Sequence, residues 1–174
     1  MTLAARVFSL VAMCVLGAAS PVSWAAPHAH GVSHLEVALD GPRLELTWRT
    51  ALDDVVGFEH APRTPAQQQQ VAQAMERLRQ PQALFGPSAA ARCELKTTQL
   101  SAPVWEGGAA TPGHGDLTLQ VQWVCSQPQQ LLQLEVLVFE SFKRVRQINT
   151  QVVTARGQHK ITLRGKVRIV ALNK

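Results

Sequence analysis

HLEVALDGPRLELTWR, residues 34–49, reads as two strands and a turn. Leu35, Val37 and Leu39 alternate with His34, Glu36 and Ala38. After the turn formers Asp40, Gly41 and Pro42, Leu44, Leu46 and Trp48 alternate with Glu45, Thr47 and Arg49. A period of two puts successive side chains on opposite faces of a sheet, so each run has one apolar and one solvated face. The turn between them makes the pair a β-hairpin.

The same alternation returns downstream. Leu117, Leu119, Val121, Trp123 and Cys125 alternate with Thr118, Gln120 and Gln122, and Cys93 and Leu95 share one face of a strand continuing irregularly toward Val104 and Trp105. Further β runs lie near 132–139, 146–154, 159–164 and 167–172, with His159 in a turn beside Gly157. EGGAATPGHG, residues 106–115, has turn formers and no periodicity and reads as a mobile surface loop.

One segment reads convincingly as a helix, from about 65 to 79. Thr64 is placed as N-cap, Pro65 occupies the first turn and Gln67 can complete a capping box. Val71, Met75 and Leu78 fall at helical spacing on the core side, Arg77 and Arg79 suit the negative end of the helix, and Pro81 stops it. The expected fold class is α+β, a mainly antiparallel β-sheet with this one principal helix packed on it.

The chain opens with MTLAARVFSLVAMCVLGAASPVSWA, in which Arg6 precedes an uncharged run rich in Ala, Val and Leu. This pattern is a secretory signal peptide covering residues 1–25, with small residues Ser23 and Ala25 placed for cleavage before Ala26. The run from Val7 to Ala19 is shorter than the ~20 residues a spanning helix needs. Val11, Ala12 and Met13 make a poor lipidation signal around Cys14. Removing 25 residues from 174 leaves 149, enough for a single domain, 26–174, in the periplasm.

Charge is unevenly distributed. Residues 26–140 hold 12 acids and 7 bases, whereas 141–174 hold 9 bases and no acid. Export removes the usual nucleic acid partners, and Phe142 is the only aromatic in the basic segment. That segment is either a set of solvated strand faces or a docking surface for an acidic partner or anionic lipid headgroups. The second option defines an alternative function, an exported non-catalytic scaffold domain.

Without Cys14, two thiols remain, Cys93 and Cys125. In an oxidising compartment an even pair closes, so a disulfide between them is expected. Zinc thiolate ligation fits poorly, because two cysteines 32 apart lack a close CxxC pair.

Candidate chemistry starts with His28, His30 and His34. On a straight strand His30 and His34 would lie roughly 13 Å apart, too far to share one zinc, so a common site requires the tail before Gly31 to fold back. An amino-terminal copper site is rejected, since Pro27 has no amide proton to lose. VVGFEHAPRT, residues 55–64, places Glu59 and His60 between a strand and a capped helix, where either is a zinc ligand by chemistry or a loop-stabilising hydrogen-bonding group. His114 and Asp116 could donate further ligands from the loose loop. An enzyme using Asp53, Asp54, Glu59 and His60 as acid and base lacks a nucleophile motif, an HExxH or a phosphate-binding Gly loop. The chain is expected not to be an enzyme.

HAHGVSHLEVALDG, VVGFEHAPRT before a Gln- and Ala-containing helix, LRQPQALF after it, the two cysteines and LVFESF together resemble the periplasmic zinc-uptake complex component A-like proteins of Gram-negative bacteria. The resemblance covers nearly the whole mature chain, and GFEHAP is its most distinctive part. It implies a periplasmic zinc-binding protein associated with a metal-uptake transporter. His28, His30 and His34 match its N-terminal histidine motif, Glu59 and His60 its GFEH motif, and His114 and Asp116 the remnant of its metal-rich loop. Where family members insert a tract rich in His and Asp between the cysteine strands, this chain has only EGGAATPGHGD.

Overall fold

The hairpin forms as its alternation dictates. In a computed structural model that describes residues 29–107 and 115–173, Val32–Asp40 (β1) pairs antiparallel with Arg43–Ala51 (β2), with Leu35 opposite Trp48 and Asp40 opposite Arg43. The chain continues through a five-residue helix, Leu52–Val56 (α1), and the principal helix Pro65–Leu78 (α2). Then follow Phe85–Pro87 (β3), Cys93–Ser101 (β4), Asp116–Cys125 (β5), Gln133–Val136 (β6), Val138–Ser141 (α3), Gln147–Thr154 (β7), Gly157–Leu163 (β8) and Ile169–Ala171 (β9). The leader and its cleavage site, His28, and positions 108–114 of the loose loop with His114 lie outside the described residues.

Six strands make one sheet in the order β4-β5-β2-β1-β7-β8, and three make a smaller one in the order β3-β6-β9. Among the described residues every ladder is antiparallel except β1 with β7, which is parallel. The fold is α+β with mainly antiparallel sheets, as expected. The parallel ladder arises because β1 pairs with its hairpin partner on one side and receives β7, distant in the chain, on the other.

One face of the large sheet carries Leu35, Val37, Leu44, Leu46, Trp48, Leu117, Leu119, Val121 and Trp123, all buried in a single core. Trp48 is wholly buried. It packs edge-on to Phe85 of β3 at 6.5 Å and stacks on Phe142 beyond α3 at 5.8 Å, and its Nε1 donates to Ser33 Oγ at 2.9 Å. The other face of the large sheet, with His34, Glu36, Glu45 and Gln151, is exposed.

Thr64 Oγ1 accepts the backbone N–H of Gln67 at 3.2 Å. Gln67 Oε1 reaches one residue past the cap, to the N–H of Arg63 at 2.8 Å. Ala74 and Leu78 are buried while Val71 and Met75 are half-buried, so the helix meets the core along a narrower stripe than the spacing suggests.

A bulge between Leu95 and Thr97 resets the alternation of β4, so that Cys93 and Leu95, then Thr98 and Leu100, take the inward side. The strand ends at Ser101 rather than at Trp105, because Trp105 N–H turns back to Ala102 O and buries Val104. Cys93 lies directly opposite Cys125, and the two form the expected disulfide, with Cα atoms 3.8 Å apart.

Some strand expectations are corrected. The run 132–139 is extended only to Val136; one helical turn then brings Val138, Phe139 and Phe142 into the core together, which alternation could not. The run 167–172 is strand only at Ile169–Ala171, and His159 lies in β8 opposite Val152 rather than in a turn. Among the described residues no helix is long and apolar enough to cross a membrane.

Candidate metal centre

The chain turns just before β1, and the turn is pinned from both sides. Gly31 has φ +82°, a left-handed conformation that glycine adopts without a Cβ penalty. Its N–H donates to Asp54 Oδ1 at 2.5 Å, and its carbonyl accepts the N–H groups of Arg146 and Gln147, each at 2.9 Å. A Cβ here would stand 2.6 Å from Arg146 Nε, so the guanidinium itself occupies the space a side chain would need.

This turn directs His30 toward α1 and the loop beyond it. His30 Nδ1 lies 3.1 Å from Asp53 Oδ2, and His30 Nε2 lies 3.8 Å from Glu59 Oε1. Arg144 holds Asp53 three ways, with Nη2 3.0 Å from each carboxylate oxygen and Nε donating to the backbone carbonyl at 2.8 Å. Arg146 Nη2 reaches His30 O at 3.3 Å. The start of β5 completes one side: Leu52 N–H donates to Gly115 O, and a Cβ on Gly115 would stand 2.8 Å from Glu59 O.

The hydrogen bond to Asp53, helped by the Glu59 charge, raises the pKa of His30 above the ordinary imidazole value. Burial pushes Asp53 upward, but the hydrogen bonds from His30 and Arg144 outweigh it and hold this carboxyl below its usual range. Burial raises Asp54, and the Gly31 and Thr50 donors only partly offset it. Asp54 is therefore a buried acceptor for the turn. Asp54→Ala is expected to destabilise the fold by about 1–3 kcal/mol by leaving the Gly31 N–H unpaired. Asp54→Asn keeps an acceptor and is expected to cost less, as chemical denaturation of both variants will show.

The residues singled out in the sequence separate into groups. His30 and Glu59 come together. Asp116 opens β5 opposite Ala51, one residue beyond the Gly115 contact with Glu59. His60 stacks on Phe58 at 5.0 Å with Nδ1 2.8 Å from Ala61 O, a loop-stabilising arrangement. His34 sits on the exposed sheet face beside Asn149, Lys160 and Thr162, where the alternation of β1 puts it.

Asp53, Asp54, Arg144 and Arg146 were not among the expected site residues. The two aspartates were visible only as a candidate acid and base pair, and the arginines only as part of a basic tail. Arg156, Arg164 and Arg168 of that tail likewise bind Asn173 O, Gln147 and Glu140 within the chain.

Glu59 Oε1 is buried and has no hydrogen-bond partner among the described residues. Two donors bound tetrahedrally to one zinc lie about 3.3–3.5 Å apart, so a closure of a few tenths of an ångström would let His30 Nε2 and Glu59 Oε1 share an ion. Among the described residues no group of three or more His, Cys, Asp or Glu converges as a ready metal cage. The pair thus fits two positions of a zinc shell.

Comparison with curated proteins gives no match. A family model described as "ZrgA family zinc uptake protein" matches residues 27–172. A match of that extent, over the hairpin, the capped helix, the cysteine strands and the His30 and Glu59 segments alike, makes this chain a member of the ZrgA family of zinc uptake proteins.

Proposed function

We propose that the chain is a periplasmic, non-catalytic zinc-binding protein that captures Zn²⁺ as cargo at His30 and Glu59 and hands it to a metal-uptake transporter component. The observation that carries this reading is the buried Glu59 Oε1, without a hydrogen-bond partner among the described residues, facing His30 Nε2 in a member of a zinc uptake family. The leader-like first 25 residues and the disulfide support export. The two donors that come together among the described residues leave positions of a zinc shell open to an exchangeable ligand, such as water or a group of the receiving protein, which suits a carrier better than a closed structural site.

Titration of the chain from Ala26 onward with Zn²⁺ against a competing chromophore tests the reading. His30→Ala and Glu59→Gln are each expected to weaken binding about tenfold or more, comparable to the loss of a key site partner. His34→Ala, on the far side of the turn, should leave it unchanged. Unaltered affinity in both site variants would overturn the assignment.

The sign of the pH dependence follows from His30. Zinc needs the neutral imidazole, and Asp53 favours the protonated one, so affinity is expected to fall with falling pH from above the ordinary histidine value of about 6.5. His30→Ala should remove that component. Without metal the sign reverses for stability: the His30 contribution is full below about 6.5 and is lost as pH rises through the raised value.

A further inference from the structure

We propose that Asp53 is the positioning residue of this site: anchored by Arg144, it accepts the hydrogen bond of the His30 Nδ1–H and so leaves the Nε2 lone pair facing Glu59. The inference rests on the zinc reading for its consequence but not for its geometry. A neutral imidazole has one N–H, and its location is set by the hydrogen bonds its two nitrogens make. His30 lies between two carboxylates that compete for that proton, Asp53 at 3.1 Å from Nδ1 and Glu59 at 3.8 Å from Nε2. The nearer acceptor prevails.

Asp53 is also the more firmly held of the two. Arg144 grips both its oxygens and its backbone carbonyl, so a swing of the carboxylate toward a metal would give up these contacts. Its side chain is 16% exposed, against 58% for the His30 ring that it orients. A carboxylate that receives one ring N–H while the other nitrogen faces a cation is the general means by which histidine ligands are fixed in orientation and made more basic.

The test reads the tautomer directly, by ¹⁵N NMR of His30 in metal-free protein at a pH where the ring is neutral, and zinc affinity in parallel. The wild-type chain is expected to carry the proton on Nδ1. In Asp53→Ala the carboxylate left in contact with a ring nitrogen of His30, among the described residues, is Glu59 at Nε2, since Asp54 is engaged by the Gly31 N–H and Thr50, so the proton is expected on Nε2, and zinc affinity should fall about 10–100-fold. Asp53→Asn keeps an oxygen able to accept from Nδ1 and should restore both the Nδ1 tautomer and most of the affinity.

An Asp53→Ala protein that keeps its proton on Nδ1 would overturn the proposal. So would an Asp53→Asn protein that loses zinc as completely as Asp53→Ala, because an amide can position the ring but is a poor substitute for a ligating carboxylate. If the tautomers behave as expected while His30→Ala binds zinc normally, the zinc site falls and the hold of Asp53 on the ring stands. Thermal unfolding of each variant separates these outcomes from loss of fold.

Discussion

Trp48→Ala is expected to destabilise the protein by about 3–5 kcal/mol, the range for deleting a wholly buried large aromatic. Trp48 lies in the central part of the large sheet on β2, between β1 and β5, and touches both layers of the fold. Phe85 meets it edge-on from the small sheet and Phe142 stacks on it after α3, so its removal opens a void where the two sheets meet. Its Nε1 also satisfies Ser33 Oγ, a fully buried hydroxyl two residues from Gly31. Trp48→Phe keeps most of the apolar contact but leaves that hydroxyl unpaired, and is expected to cost less, about 1–3 kcal/mol. Chemical denaturation of both variants checks the order. A loss below about 1 kcal/mol in Trp48→Ala would mean that the sheets collapse onto the vacancy and that Trp48 does not join them.

Reducing the Cys93 to Cys125 bond is the second large effect. The bond closes a sequence separation of 32 residues, for which loop entropy gives about 3–4 kcal/mol. For a domain of this size that is a fall in Tm of about 10 °C. Zinc affinity should be unchanged, because Cys125 and Asp116 end opposite tips of β5, a ten-residue strand spanning roughly 30 Å, and the His30 pair lies near the Asp116 tip. Thermal scans and zinc titrations with and without reductant measure both quantities. A reduced protein that stays folded but changes its zinc affinity would show the thiols taking part in binding, against the disulfide reading.

Much of the fold was legible because its signals are local. The alternation in 34–49 names the inward residues of β1 and β2, and Thr64, Pro65 and Gln67 mark the start of α2 within one residue. The shared inward facing of Cys93 and Cys125 pointed to their pairing, although the bulge after Leu95 shows how one inserted residue reverses a face. Less legible were α1, α3 and the small sheet. These are pieces of five residues or fewer, too short for a period to declare itself, and they form because the large sheet offers an apolar face to cover.

The candidate site was legible by residue type and not by partner. His30 and Glu59 stood out as zinc-compatible donors, and the requirement for a bend at Gly31 could be stated from chain geometry. His34 and His60 carried the same chemical signal and are directed elsewhere, one by the parity of β1 and the other by its contacts with Phe58 and Ala61. Arg144 could not be linked to Asp53 from the sequence, since 91 residues separate them.

By itself, then, the sequence determined which side of each long strand is apolar, where the main helix begins, which thiols could close and which side chains can ligate a metal. These are properties of single residues and their near neighbours. Only the tertiary structure decided that β7 lies parallel beside β1, that Gly31 is held by Asp54 and Arg146, and that His30 stands between Asp53 and Glu59. The physical reason is that a strand's pattern specifies the face it buries but not the strand it lies beside; that choice is made when distant segments bury one core together, and the site is assembled by it.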